Sequence, residues 1–229
     1  EVTDMKTLGL YVHIPFCRSK CLYCDFCSFP RQNEDKMVEY ANALCRDLQK
    51  HAPLCREYVV DTVFLGGGTP TTLPAYLLKE LMGEIYKNYN VSPTAEITAE
   101  CNPVTGEREL FARMRAAGIN RLSIGLQSAH ENELKALGRL HNFDIFATCF
   151  ADARAAGFDN ISVDVMSGIP LQTPESRRET LQKVLALSPE HISVYGLQLE
   201  EGTRFLVLAP AVNAQKGMHE KVFADARKS

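Results

Sequence analysis

The sequence predicts an α/β fold: a parallel sheet with helices outside it, either open and doubly wound or curled into a barrel. Three observations carry that prediction. β-rich runs recur at residues 8–16, 61–67, 95–102, 121–128, 160–168 and 191–200. Amphipathic stretches lie between them, as in LLKELMGEIY, where Leu77, Leu78, Leu81, Met82 and Ile85 fall at three- and four-residue spacing. Gly118 and Gly157 close two AAG segments just before the next strand, the position of a helix C-cap. Repeated strand–helix units of this kind pair their strands in parallel and place the helices on the faces.

Taken in order, the strands show a parity. In the first, Leu10, Val12 and Ile14 share one face, while Tyr11 and His13 share the other. The second leads into the glycine-rich FLGGGTPT, which reads as a tight βα turn. In the third, Ile97, Ala99 and Cys101 oppose Glu96, Thr98, Glu100 and Asn102. Leu122, Ile124 and Leu126 oppose Ser123, Gly125 and Gln127 in the fourth, and Ile161, Val163 and Val165 oppose Ser162 and Asp164 in the fifth. The last run departs from the pattern, because Gln198 shares its parity with Gly196, Val194 and Ile192. The apolar parity is expected against the helices and the polar parity inside a barrel. Polar groups there require partners, either one another in a partly wet core or a bound polar ligand. In parallel α/β folds ligands sit at the strand C-terminal ends, where the Gly66–Thr69 stretch, Glu100, Gln127 and Asp164 all fall.

At 229 residues, 45% of them hydrophobic, the chain fits one large domain with a substantial core. A net charge of −3 supplies no electrostatic footprint for a nucleic-acid partner. No apolar run reaches the length of a membrane span, and EVTDMKTLGL lacks the basic start of a secretory signal. A cytoplasmic protein is therefore expected. Clustered cysteines in a reducing compartment serve more often as metal ligands or reactive groups than as disulfides.

Such a cluster is present. Cys17, Cys21 and Cys24 form C-x3-C-x2-C, with Cys27 three residues on, while Cys45, Cys55, Cys101 and Cys149 are scattered singly. Zinc sites are usually built from two separated ligand pairs, and no second pair follows. A redox C-x-x-C does not account for the third thiol. Three thiolates on one loop can hold three irons of a cubane cluster and leave the fourth for an exogenous ligand. The iron–sulfur reading is favoured over zinc, with Cys27 a bystander by its spacing.

In this βα context, C-x3-C-x2-C resembles the radical S-adenosylmethionine superfamily, with Tyr23 as the aromatic of the motif. YVHIPFC, GGGTPT, AECNP, RLSIGLQS, LGRLH, DVMSGIPLQT and SVYGLQLEEGT together resemble its oxygen-independent coproporphyrinogen III oxidase group, nearest the haem-chaperone branch. The resemblance implies a partial (βα)6 TIM-type barrel with parallel strands. It implies that Cys17, Cys21 and Cys24 bind a [4Fe-4S] cluster and that S-adenosyl-L-methionine chelates the fourth iron. The reduced cluster of such proteins cleaves that cofactor to a 5′-deoxyadenosyl radical. Tyr11, Gly67, Gly68, Thr69, Glu100, Gln127, Arg139, Asp164 and Gln198 would line the cofactor site, the glycines letting backbone approach the methionine end. Arg139 suits the methionine carboxylate, and Glu100 and Asp164 suit ribose hydroxyls or the amino group.

Enzyme and carrier readings both follow from this resemblance. The decarboxylating oxidases carry a further cysteine two residues after the third ligand; here that position is Phe26. YCDF is similar to the carrier branch, whose members bind haem and pass it to acceptors such as respiratory enzymes, membrane proteins among them. An electron donor for the cluster is implied as a further partner. His13, His130, His141, His191, His219 and Cys27 are candidate haem ligands, none of them assigned. Residues 1–204 are expected to form the core and 205–229 a short tail, with the family's C-terminal domain missing or truncated.

Overall fold

The structure, a computed structural model, describes residues 6–207. Most of the expected 205–229 tail, and His219 with it, lies outside the described residues. The chain runs β1 (Lys6–Ile14), β2 (Phe16–Cys17), β3 (Phe29–Pro30), α1 (Glu34–His51), β4 (Tyr58–Gly67), α2 (Ala75–Asn88), β5 (Val91–Cys101), α3 (Arg108–Ala116), β6 (Arg121–Gln127), α4 (Glu131–Ala136), α5 (Phe143–Ala155), β7 (Ile161–Ser167), α6 (Pro174–Ala186), β8 (His191–Gly196) and α7 (Arg204–Val207). Among the described residues β1, β4, β5, β6, β7 and β8 form one parallel sheet in that order. Each strand neighbours the next one in the series, the commoner arrangement for consecutive strands. Among the described residues β1 and β8 are paired on one side only and form its edges, so the sheet is an open arc, the partial barrel expected from the sequence.

The parity holds. Val12, Ile14, Val63, Leu65, Ile97, Ala99, Leu122, Ile124, Ile161, Val163 and Val165 are buried in one core. Leu77, Leu78, Leu81, Met82 and Ile85 of α2 and Phe146, Cys149 and Phe150 of α5 belong to the same core. The polar parity faces the inside of the arc. Gly118 and Gly157 follow α3 and α5 at φ +97° and +91°, the left-handed C-cap that glycine takes without steric cost.

The first and the last predicted strands both end early, the first for a backbone reason. The first strand breaks at Pro15, which has no N–H to give the ladder. Beyond it β2 pairs with β3, closing the cysteine loop at its base through Phe29 N–H to Pro15 O (2.6 Å) and Arg31 N–H to Cys17 O (3.0 Å). The last strand ends at Gly196 rather than 200, so Gln198 lies past the ladder and its parity has no meaning. Within β8 the pattern is regular: His191, Ser193 and Tyr195 face inward.

Candidate functional site

A cavity of about 790 Å³ occupies the inside of the arc and opens against the cysteine loop. Cys17, Cys21, Tyr23, Cys24, Gly67, Gly68, Thr69, Glu100, Gln127, Arg139, Asp164 and Gln198 all line it. Every cofactor or metal residue named from the sequence is there except Tyr11. That ring is 60% exposed and lies just outside, stacked on the lining residue Phe64 at 6.2 Å.

The cysteine loop is held at its middle as well as its base. Leu22 N–H donates to Leu137 O after α4 (3.1 Å), and Leu22 O accepts from Phe205 N–H (3.0 Å). His13 braces the far end. A carbonyl only accepts, so His13 Nε2–H donates to Cys27 O (2.9 Å), and Nδ1 is left to accept from Tyr11 O–H (3.1 Å). Tyr11 therefore supports the loop through His13. None of the cysteines is in a disulfide. Burial pushes the Cys17 and Cys24 thiols above their ordinary range, so each keeps its proton until a metal displaces it. Among the described residues no three His, Cys, Asp or Glu side chains are gathered as a single-ion site.

The glycine run lines the cavity and also makes close backbone contacts of its own. Gly67 N–H donates to Glu100 Oε2 (3.1 Å), Gly68 N–H to Ile14 O (2.8 Å) and Thr69 N–H to Phe16 O (2.7 Å). A Cβ on Gly68 would stand 2.7 Å from the carbonyl oxygens of Ile14 and Phe16, and one on Gly67, at φ +104°, would strike the His13 ring. The glycines let the β4 turn lock onto the strand that leads into the cysteine loop. Thr69 then places its hydroxyl 3.6 Å from Cys17 Sγ.

Polar groups converge on the opposite wall. Arg139 Nη2 donates to Gly125 O at 2.5 Å, and Nη1 lies 3.5 Å from Cys21 Sγ. Tyr195 O–H donates to Gln127 Oε1 (2.7 Å), and Ser123 O–H to Asp164 Oδ1 (3.0 Å). Gln127 sits at φ +72° beside a register shift between β6 and β7, strain that a non-glycine residue holds only where its surroundings dictate it. The Glu100 carboxyl is pushed up to about 7, first by burial, against the Gly67 hydrogen bond and with the Asp164 charge adding to the rise. Asp164 is raised by burial too, opposed by Ser123 and by the nearby Arg121 and Arg139 charges.

Lining residues that sequence reasoning did not single out include Lys20, Arg121, Ser193 and Tyr195, while Asn102, on the polar parity of the third predicted strand, lines the cavity as that parity predicts. Tyr195 was legible in principle, since its side chain has the inward parity once β8 is ended at Gly196. Of the histidines, His191 reaches the cavity with Nδ1 2.8 Å from Ser162 Oγ. His141 is buried under β6, its basicity pulled down to about 3 by burial and by the Arg139 charge, against its bond to Leu126 O. His130 lies 3.3 Å from Glu179, away from the cavity.

A cation beside Cys21, three free thiols on one wall and two carboxyls across from them suit an anionic thiolate-held cluster with a zwitterionic ligand next to it.

The family whose description matches is the radical SAM superfamily, over residues 11–184. A second description, the UvrA interaction domain, matches residues 188–229; that span takes in β8 of the same sheet and runs past the described residues. The chain is 38% identical over 203 residues to the heme chaperone HemW of Buchnera aphidicola subsp. Schizaphis graminum, covering 89% of this chain and 54% of that one. It is 37% identical to the heme chaperone HemW of Escherichia coli K12 (89% and 54%). To the oxygen-independent coproporphyrinogen III oxidase of Salmonella typhimurium it is 34% identical (83% and 42%). The solved coproporphyrinogen III oxidase HemN of Escherichia coli superposes with a TM-score of 0.79 at 28% identity, over 93% of this chain and 53% of that one. The chain spans about half the length of the curated relatives it matches. From fold, cysteine loop and match together, the chain belongs to the radical SAM superfamily, which implies a [4Fe-4S] cluster and S-adenosylmethionine.

Proposed function

We propose that this chain is the cluster-bearing core of a radical SAM haem chaperone, which binds haem as cargo and passes it to acceptor proteins such as respiratory enzymes. The observation that carries the reading is the gathering of Cys17, Cys21 and Cys24 with Glu100, Gln127, Arg139 and Asp164 on one cavity. In this reading the three cysteines ligate the cluster, and Arg139 pairs with the methionine carboxylate. Glu100 and Asp164 accept hydrogen bonds from the amino group or ribose, and Thr69 and Tyr23 pack beside them. When bound, the reduced cluster supplies an electron to the cofactor, replenished by an external electron donor. Phe26, where the oxidases carry another cysteine, supports a carrier over a decarboxylase; it is exposed at the cavity rim. The setting is cytoplasmic in this reading, with a membrane-protein acceptor compatible. Among the described residues no helix is long and apolar enough to cross a membrane.

The likeness to HemN favours a second reading, an oxidoreductase of the coproporphyrinogen-decarboxylating type. Anaerobic reconstitution with iron and sulfide, followed by haem titration and a parallel coproporphyrinogen turnover assay, separates the two. Stoichiometric haem binding without decarboxylation supports the chaperone; turnover to protoporphyrinogen overturns it in favour of the oxidase.

A further inference from the structure

LGRLH holds two residues that turn back on the same stretch of β6. Arg139 Nη2 donates to Gly125 O, and His141 Nε2 lies 3.0 Å from Leu126 O. Because that carbonyl only accepts, Nε2 carries the imidazole hydrogen and Nδ1 presents a bare lone pair. His141 Nδ1 is buried with no partner, and Arg139 Nε, which must carry a hydrogen, is buried with no partner as well. One orphan is an acceptor and the other a donor, in residues near enough for the Arg139 charge to act on the His141 ring. A buried polar atom left unpaired is costly, and these two belong to side chains that bond the adjacent carbonyls of Gly125 and Leu126, so one can be the other's remedy.

We propose that His141 is the positioning residue for Arg139: its Nδ1 takes the Arg139 Nε hydrogen, directly or through one buried water. The guanidinium is then held on three sides, by Gly125 O, by Cys21 Sγ and by His141, and its plane is fixed. Through Leu126 O the same imidazole pins the residue between Gly125 and Gln127, whose positive φ depends on its neighbours staying in place. An apolar residue at 141 orphans Leu126 O and Arg139 Nε together. The inference rests on the reading that Arg139 meets the cofactor.

The test uses the full chain after anaerobic reconstitution, with His141→Gln and His141→Met. Gln keeps one donor and one acceptor, whereas Met keeps only bulk. S-adenosylmethionine affinity is measured by calorimetry, and the reduced cluster's paramagnetic resonance spectrum is recorded with and without the cofactor. The Met variant is expected to bind about tenfold more weakly and to show a smaller spectral response at unchanged iron content, with Gln recovering most of both. Wild-type affinity in the Met variant, or a Gln variant as weak as Met, overturns the proposal. Nitrogen NMR of the wild-type chain labelled at histidine judges it without either variant. A protonated Nε2 with a hydrogen-bonded Nδ1 is expected for His141, and the shift of a free Nδ1 lone pair overturns it. Failure of the wild type to bind S-adenosylmethionine strikes the proposed function instead, leaving the NMR result to decide the Arg139–His141 pairing.

Discussion

Arg139 and Cys21 stand 118 residues apart in sequence and 3.5 Å apart in space. The contact ties the metal-binding loop to the end of β6 through a cation that has no carboxylate partner within 4 Å among the described residues. A guanidinium so placed favours a carboxylate that enters the cavity beside it.

Arg139→Lys should therefore fail to replace Arg139. A lysine head is a single nitrogen and cannot occupy both the Nη1 position facing Cys21 Sγ and the Nη2 position facing Gly125 O. We expect S-adenosylmethionine affinity to fall by about tenfold or more in the reconstituted protein, by calorimetry, with folding retained. Unchanged affinity would remove Arg139 from the cofactor site.

Cys24→Ala and Cys27→Ala should part company. Cys24 lines the cavity, whereas Cys27 is exposed and only its backbone carbonyl is engaged, by His13. After reconstitution, the visible absorbance and iron content of a cluster should be lost from Cys24→Ala and kept in Cys27→Ala. Loss from both would make Cys27 a ligand.

Glu100 sets a pH dependence whose sign follows from its shift. Its folded value, about 7, lies above the ordinary 4.5, so the folded state holds the proton more tightly. The stability this contributes is complete below the ordinary value and is lost as pH rises through about 7, an upper limit of about 3 kcal/mol. Asp164 shifts in the same direction. Melting temperature of the cofactor-free protein should fall from about pH 5 to pH 8, and more gently in Glu100→Gln. An equally steep fall in that variant would assign the slope elsewhere.

Two glycine-to-alanine changes should move stability in opposite directions. Gly68→Ala drives a methyl group into the backbone of Ile14 and Phe16 and should cost about 3 kcal/mol or more. Gly83 lies in α2 with open space where its Cβ would stand, so Gly83→Ala should stabilise by about 1 kcal/mol. Chemical denaturation of both variants checks the pair.

The sheet was legible because its signals are local. Alternation within β5, β6 and β7 and the glycine C-caps after α3 and α5 show in windows of a few residues. Strand starts were less legible: β5 begins at Val91, before the predicted 95, where Ser92, Pro93 and Thr94 write no core pattern, and β4 begins at Tyr58, before the predicted 61, although Val60 is buried in the core. The site residues were found by motif resemblance, and twelve of the thirteen line one cavity. What resemblance could not convey is how they are held. The role of the glycine run as a lock against Ile14 and Phe16, of His13 as a brace on Cys27, and of the β2–β3 clasp all depend on contacts between segments distant in sequence. No periodicity encodes such contacts.

That β1 and β8 do not pair with each other, and have no second neighbour among the described residues, has a consequence for capacity. A ring of eight strands has a lumen that side chains just fill, and a ring of six would be narrower still. An arc that stops short of a circle escapes that geometric ceiling: its radius is set by how the helices behind it pack, not by strand number. The room for a guest of this size is thus bought with two raw sheet edges, and any stretch of protein that seals them also sets how wide the hollow can be.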